Sequence, residues 1–287
     1  MLETKATNSL RCMEIWGGNR AVEQDFELPG LDVWLYSRPV AEAMDGGDVY
    51  YLSSCASGRI SRLLIADVSG HGPEVSQLAL RLRDLMRRNI NRIDQASFVE
   101  GMNKEFVQFN QEGRFATAII GTYFASTGYL QLCTAGHPPP LLYRQATNSW
   151  ERMELNTHPS STGNIPLGIM DEVIYGQIEL PLKKGDMVLA YTDGVSEIRI
   201  ENNKLLGSDG LLEMVKTLDV NQASRLIPKL MQKLEAESQA PFQDDITLLL
   251  FRANSRQVPL VSNLLAPFRL LSSPKETTYF RETAKPN

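Results

Sequence analysis

The chain has 287 residues, of which 43% are hydrophobic and 22% charged, a balance that excludes a disordered chain and allows a full core. The net charge of −5 disfavours electrostatic binding to nucleic acid or to an anionic membrane surface. The three widely spaced cysteines form no CxxC pair, so they indicate neither a zinc site nor a disulfide framework. With no signal-like start and no apolar run near the roughly 20 residues that span a bilayer, we expect a cytoplasmic protein without a membrane anchor.

Short apolar runs bounded by turn residues predict strands along most of the chain. Residues 1–25 have no clear period and are predicted to be an arm or an added sheet edge. The predicted strands follow at residues 31–37, 49–54, 60–66, 116–124, 129–134, 173–180, 187–191 and 246–252. Apolar stripes of helical period predict helices around residues 75–90, 98–109 and 223–234.

The order of these elements predicts an α+β fold. Strands mostly follow one another as hairpins rather than alternating with helices, which favours antiparallel sheets with helices on their outer faces. One domain is expected over residues 26–253. Residues 254–287 contain several prolines among apolar residues and are predicted to be a C-terminal tail without chemistry of its own.

Four predicted strands have an aspartate at one end, and three of the four aspartates belong to motifs that contain glycine. The four are Asp48 in Gly46-Gly47-Asp48, Asp67 in Asp67-Val68-Ser69-Gly70, Asp193 in Asp193-Gly194, and Asp244 in Asp244-Asp245. A strand end is a rigid place to mount a ligand, and glycine allows backbone or substrate to approach closely. Any one of these aspartates alone is more often a turn former or helix cap, but caps are a weaker account of all four.

One pair of aspartates can be placed by register. If Ser57-Gly58 is a two-residue turn, Asp48 lies directly opposite Asp67, and facing side chains have Cβ atoms about 4.5–5.5 Å apart. Two carboxylates at that distance repel each other unless a cation lies between them. All-oxygen aspartate ligands suit Mg²⁺ or Mn²⁺, and Asp193 and Asp244 add enough charge for two ions.

An ordered set of motifs resembles the SpoIIE/RsbU branch of the PPM-type metal-dependent protein phosphatases. The resemblance covers roughly residues 28–252. Its motifs are Gly46-Gly47-Asp48, Asp67-Val68-Ser69-Gly70-His71-Gly72, Phe115-Ala116-Thr117, Ala135-Gly136-His137-Pro138-Pro139, Pro166-Leu167-Gly168, Tyr191-Thr192-Asp193-Gly194 and Asp244-Asp245-Ile246-Thr247. Each motif alone is a weak signal, whereas the ordered set is a strong one.

The resemblance implies a sandwich of two antiparallel β-sheets flanked by helices, with two Mn²⁺ or Mg²⁺ ions at one end. By motif, Asp67 would bridge both ions. Asp48 and the Val68 carbonyl would hold one ion, and Asp193 and Asp244 would hold the other.

Other motif residues receive lesser roles from the same resemblance. Gly194 and Asp245 would support the site. Arg38 and His71 are left without a catalytic role, because the sequence does not place either in the site. His137, which precedes three prolines, is expected to be structural.

The activity implied is direct hydrolysis of phosphoserine or phosphothreonine in another protein. Water activated by the metals held at Asp67 would attack phosphorus without a covalent enzyme intermediate. The branch suggests a STAS-type anti-sigma-factor antagonist as substrate, in a bacterial partner-switching pathway. Control would come from a regulatory partner or a homodimer, and the helix predicted to begin near Pro73 is one candidate control element.

Three other interpretations remain open at this stage. The chain could hydrolyse small phosphoesters or nucleotides, although it lacks a Gly-x4-Gly-Lys-Ser/Thr loop. It could be a non-catalytic relative that only binds phosphoprotein, although all four motif aspartates are retained. It could be a scaffold in which the aspartates are only caps.

Overall fold

The fold is described from a computed structural model covering residues 8–9, 15–40, 43–54, 58–70, 72–89, 92–109, 113–153 and 164–257. Two β-sheets pack face to face, and helices cover the outer face of each sheet. This arrangement confirms the predicted α+β class and the sandwich.

The first sheet has seven strands. Its long central strands pair antiparallel, and only the short β1 runs parallel to its neighbour β3. In spatial order the strands are β1 (Asn8–Ser9), β3 (Val22–Leu28), β4 (Leu31–Arg38), β15 (Ile246–Ala253), β12 (Met187–Tyr191), β9 (Leu141–Arg144) and β10 (Ser149–Arg152).

The second sheet has six antiparallel strands, and a two-stranded hairpin lies apart from both sheets. In spatial order the six are β11 (Gln177–Pro181), β8 (Tyr129–Ala135), β7 (Ala116–Phe124), β6 (Ile60–Val68), β5 (Asp48–Ser54) and β2 (Ile15–Gly18). The hairpin consists of β13 (Arg199–Ile200) and β14 (Lys204–Leu205).

Five α-helices complete the described chain. They are α1 (Pro73–Arg88), α2 (Gln95–Phe109), α3 (Asp193–Ser196), α4 (Gly207–Lys216) and α5 (Leu226–Glu237). Short 3₁₀ turns occupy Glu201–Asn203 and Ala223–Arg225. Within the described ranges, no helix is both long and apolar enough to cross a membrane.

The core has three layers, because each sheet buries both of its faces. One layer lies between the sheets and contains Val33, Ile65 and Val188. A second lies between the six-stranded sheet and helices α1 and α2. The third lies between the seven-stranded sheet and helices α4 and α5. The strands are therefore apolar on both sides, and their ends are held rigidly.

Some elements differ from the sequence-based expectation. Strand β3 extends the first sheet, and the expected arm boundary at residue 25 falls inside it. The strand expected at residues 173–180 is wrong in its first half, since only Gln177–Pro181 pairs with β8. Val173 and Tyr175 instead pack into the layer under the helices. Most of the expected tail, residues 258–287, lies outside the described residues.

Candidate active site

Asp48 and Asp67 face each other at one end of the six-stranded sheet. The pairing of β5 with β6 places Asp48 directly opposite Asp67, which confirms the predicted register. Ser57 of the proposed turn lies outside the described residues. Asp48 is buried and Asp67 is half-buried. The two carboxylates therefore lie together at the end of the hairpin that is opposite its turn.

Asp193 and Asp244 lie at the matching end of the seven-stranded sheet, where β12 ends and β15 begins. Glycine is required beside them. A Cβ on Gly194 would lie 2.0 Å from the Asp245 carbonyl oxygen and 3.3 Å from the Asp244 Cβ. Any side chain at this position would push the two aspartate turns apart.

A chain of hydrogen bonds joins these two groups of aspartates across the sandwich. The Thr192 hydroxyl donates to Asp48 Oδ2 at 2.8 Å and accepts from the Thr247 backbone N–H at 2.9 Å. Both threonines are fully buried. The first sheet therefore fixes the orientation of a carboxylate that belongs to the second sheet.

Asp245 acts on the backbone of the glycine-rich loop. Its buried carboxylate accepts hydrogen bonds from the backbone N–H groups of Val40 (2.7 Å), Gly47 (2.6 Å) and Asp48 (3.2 Å). With its oxygens used in this way, Asp245 holds the loop that presents Asp48. This geometry is compatible with the supporting role expected from the sequence.

The carboxylates carry a strong mutual repulsion. Burial raises the pKa of Asp48 well above its usual range, and the facing Asp67 adds to the effect. Burial, followed by the charges of Asp193 and Asp244, raises the pKa of Asp67 to about 8. Burial also raises the pKa values of Asp193 and Asp244. Charges from both sheets therefore act on one another at this end of the molecule.

The donor chemistry of this cluster suits a hard divalent cation. Several carboxylates that disfavour joint ionisation become ligands once a cation neutralises them. Gly47 keeps the nearby space open, because a Cβ there would lie 3.1 Å from the Val68 carbonyl oxygen and 3.5 Å from Asp67 Oδ1. Among the described residues, however, no three His, Cys, Asp or Glu side chains are arranged closely enough to hold an ion as they stand. The residues fit such an ion by chemistry, without a closed shell of ligands.

Of the other residues considered in the sequence analysis, His137 contacts both sheets, whereas Arg38 pairs with residues outside the carboxylate cluster. His137 is buried between the sheets, with the Thr117 hydroxyl donating to Nδ1 at 2.7 Å and Nε2 donating to the Tyr191 carbonyl at 2.9 Å. Burial lowers the pKa of His137 to about 4, so the ring is neutral at pH 7. Arg38 pairs with Glu235 at 3.1 Å and stacks on the Phe242 ring. His71 lies outside the described residues.

Three contributions were missed by sequence reasoning, namely those of Thr192, Thr247 and Arg114. Both threonines lie inside motifs that the sequence analysis quoted, and Thr192 precedes Asp193, but no local pattern links either of them to Asp48. Arg114 contacts the loop after Asp67, with Nη1 3.5 Å from the Ser69 carbonyl oxygen and Nη2 3.3 Å from Glu74 Oε2. A lone arginine before a strand gives no such signal in the sequence.

The sandwich with aspartates gathered at one end defines the class of the protein, the PPM phosphatase fold. The family model described as Stage II sporulation protein E (SpoIIE) matches residues 57–254, well over half of the chain. The chain belongs to this SpoIIE family, which confirms the resemblance seen in the motifs.

Relatives support the same assignment at a distance. Phosphoserine phosphatase RsbU of Bacillus subtilis (strain 168) is 26% identical over 226 residues, which cover 77% of this chain and 63% of RsbU. The chain thus spans less than two thirds of RsbU. The solved RsbU and RsbW domains of Rv1364c from Mycobacterium tuberculosis superpose with a TM-score of 0.69 at 27% identity, covering 84% of this chain and 64% of theirs. The structure of RsbX in complex with magnesium shares the fold, with a TM-score of 0.60 at 16% identity, covering 81% of this chain and 100% of RsbX.

Proposed function

We propose that the chain is a protein serine/threonine phosphatase that depends on two Mn²⁺ or Mg²⁺ ions. The observation that supports this most strongly is the meeting of aspartates from both sheets, with pKa values raised by burial and by one another. Membership of the SpoIIE family and the similarity to a phosphoserine phosphatase support the same activity.

Each residue of the cluster has a proposed task. Asp67, Asp48 and the Val68 carbonyl would hold ions from the second sheet, and Asp193 and Asp244 would hold them from the first. When bound, the ions would lower the pKa of a water molecule and neutralise charge on the phosphoryl oxygens. Asp67 is the catalytic residue in this proposal, since it lies next to the charges of both sheets.

The remaining residues would keep these ligands in place. Gly194 allows the Asp193 turn to lie on Asp244, and Asp245 fixes the loop that carries Asp48. Thr192 orients the Asp48 carboxylate. The site is open to solvent on the Asp244 side, because Asp244 is exposed whereas Asp48 and Asp245 are buried. A phosphorylated side chain would enter from there.

The natural substrate is proposed from the family branch. A STAS-type anti-sigma-factor antagonist in a bacterial partner-switching pathway would be the phosphoprotein, and the reaction would take place in the cytoplasm. A regulatory partner or a second copy of the chain would control the activity. The similarity to RsbU supports a phosphoprotein substrate without naming it.

The activity is tested with a generic aryl phosphate, with and without Mn²⁺. We expect hydrolysis only with the metal, and a loss of more than about a hundredfold in Asp193→Ala, since even outer partners of a metal site contribute 10–100-fold. The matched control is Asp219→Asn. Asp219 is exposed, and the turn that follows it lines a cleft with Gly185 and Ala253, at the opposite ends of β12 and β15.

Competition then separates the remaining interpretations. A phosphopeptide that inhibits aryl phosphate turnover better than a nucleotide does favours the protein phosphatase. The reverse order favours a hydrolase of small phosphoesters or nucleotides. Binding of phosphopeptide with no turnover under any metal would favour a non-catalytic relative.

A further inference from the structure

Three large apolar side chains lie exposed on two neighbouring chain segments, one of which contacts the loop that follows Asp67. Phe115 is 37% exposed, Ile169 is 50% exposed and Met170 is 48% exposed. We call these three residues the apolar rim. Single exposed apolar residues are ordinary on protein surfaces, whereas neighbouring ones mark binding surfaces.

The rim residues come from two chain segments that lie side by side. Ala116 and Leu167 exchange both of their backbone hydrogen bonds, at 2.9 and 2.8 Å. The position that a Cβ would take on Gly168 is 3.0 Å from the Arg114 carbonyl oxygen. Residues 114–115 and 168–170 therefore leave this bridge next to each other.

A buried side chain of α2 holds the second segment in place. Asn103 Nδ2 donates to the Met170 carbonyl at 2.7 Å, and Asn103 Oδ1 accepts from the Gly168 N–H at 2.9 Å. Asn103 is fully buried. Ile169 and Met170 are thus displayed on a fixed backbone, which lowers the entropic cost of binding a partner.

The rim is joined directly to the proposed catalytic loop. The Phe115 N–H donates to Ser69 Oγ at 2.9 Å, and the Ser69 N–H donates to the Phe115 carbonyl at 2.9 Å. Ser69 is two residues after Asp67. Because an extended chain advances about 3.3 Å per residue, the rim begins within about 10 Å of the Asp67 carboxylate.

Charge favours an apolar mode of docking here. The chain carries a net charge of −5, and a phosphoprotein is itself anionic around its phosphate. Ions held by the carboxylates would attract the phosphate alone, so the affinity for the residues on either side of it must come from other contacts, such as the burial of apolar surface. Arg114, beside Phe115, adds a local cation that lies against the Ser69 carbonyl and Glu74.

We propose that Phe115, Ile169 and Met170 dock the polypeptide that carries the phosphorylated residue, by packing against a large apolar side chain two or three positions away from it. This inference rests on the proposed phosphatase function and adds a sequence preference to it. The peptide would run from the carboxylate cluster over Ser69 to the rim.

The test uses two synthetic phosphoserine peptides of equal charge, one with leucine and one with serine at the second and third positions on both sides. With Mn²⁺, we expect the parent to prefer the leucine peptide by about tenfold in kcat/KM, a typical effect of a small apolar contact. Phe115→Ser and Met170→Ser should each bring this ratio close to one. Tyr129→Ser is the matched control. Tyr129 is 39% exposed at the start of β8, where it pairs with Phe124 at the end of β7 that is far from Phe115.

The ratio is measured within each variant, so a partial loss of folded or active molecules cancels. Fluorescence anisotropy of the same labelled peptides gives a ratio of Kd values that does not depend on turnover. If the parent shows no preference between the leucine and serine peptides, in kcat/KM and in Kd, the docking proposal is overturned. Aryl phosphate hydrolysis tests the phosphatase activity separately. Rim variants that keep the ratio but change the sedimentation coefficient overturn it too, in favour of a contact between two copies.

Discussion

Asp67 is the residue at which folding and the proposed chemistry conflict most. Its pKa is raised to about 8 by burial and by neighbouring carboxylates, above the ordinary value of 3.8. The folded state therefore binds this proton more tightly than the unfolded state does. The corresponding stability is complete below pH 4 and is lost as the pH rises through about 8. At neutral pH the metal-free site thus carries a cost that a cation would remove.

Metal binding should therefore be visible in thermal unfolding. At an ion concentration a hundred times Kd, we expect Mn²⁺ or Mg²⁺ to raise Tm by roughly 5–10 °C, because only the folded state gathers the ligands. Asp67→Asn should abolish most of this rise. Without metal, Asp67→Asn should melt no lower than the parent at pH 8, since a repelled carboxylate has gone.

Differential scanning calorimetry with and without metal measures both effects, with Asp219→Asn as the control that keeps the metal-dependent rise. An unchanged melting curve of the parent at millimolar metal would count against a metal site. A variant that melts lower without metal would instead show that Asp67 stabilises the fold by itself.

Single residues were predictable where the contact is local in sequence. Asp48 and Asp67 belong to one hairpin, so alternation and turn length were enough to pair them. The bond from Thr192 to Asp48 joins residues 144 positions apart in different sheets. No local pattern specifies how two sheets lie on each other, and the sequence could therefore indicate the aspartates but not the threonines that orient them.

At the scale of elements, the long helix α1 is tied to the site by a shared hydrogen-bond donor. Its buried face includes Val75, Leu78 and Leu82, which pack against the six-stranded sheet. Asn19 Nδ2 donates to the carbonyls of Gly46 (3.0 Å) and Ser76 (3.2 Å), so the helix start and the glycine-rich loop share one side chain. Any displacement of α1 would reach Asp48 through this link.

The burial of Val75, Leu78 and Leu82 favours the interpretation of α1 as an ordinary core helix rather than a control element. We expect Leu78→Ala combined with Leu82→Ala to lower the free energy of unfolding by roughly 4 kcal/mol or more, from lost packing and cavities. The Mn²⁺ concentration for half-maximal aryl phosphate turnover should stay unchanged in the molecules that remain folded.

Chemical denaturation and metal titration measure the two quantities separately. Gln77→Ala, at an exposed position of the same helix, is the control and should change neither. A shifted metal requirement at nearly unchanged stability would contradict the core interpretation and favour a switch.

The predictability of elements followed their length and pattern. Long strands such as β7 and helices such as α1 have a clear period and were predicted within a few residues. Strands β9 and β10 have four residues each, too few for a period. Helix α4 begins with Gly207 and contains Gly210, both poor helix formers. Its sequence therefore gives no clear helix signal, and packing against the sheet stabilises the helix.

At the scale of the whole molecule, the proposed site exists only where the two sheets meet. Each sheet contributes two of the aspartates, and neither sheet alone gathers the charge. Three kinds of bond hold the two sheets in register at this end, formed by Thr192, Asp245 and His137. The resemblance of the ordered motifs to a known family implied that these strand ends meet, whereas their mutual position depends on the packing of three core layers.

His137 makes this assembly sensitive to acid. The neutral ring satisfies both of its partners, accepting from Thr117 and donating to the Tyr191 carbonyl, and burial lowers its pKa to about 4 from 6.5. The unfolded state therefore binds the proton more tightly. The stability that His137 contributes is present above pH 6.5 and is lost as the pH falls towards 4.

We expect the free energy of unfolding of the metal-free parent to fall between pH 6.5 and pH 4 by on the order of 3 kcal/mol more than that of His137→Gln, which has no proton to gain. The carboxylates respond to pH in the opposite direction, but they do so equally in both proteins and cancel in the difference. Urea unfolding at a series of pH values measures it. At pH 7 the variant should be less stable by about 1–2 kcal/mol, because glutamine cannot reach both partners with ideal geometry. Parallel curves for the two proteins over this range would mean that His137 does not titrate with unfolding. The neutral form of His137 would then make no pH-dependent contribution to the free energy of unfolding.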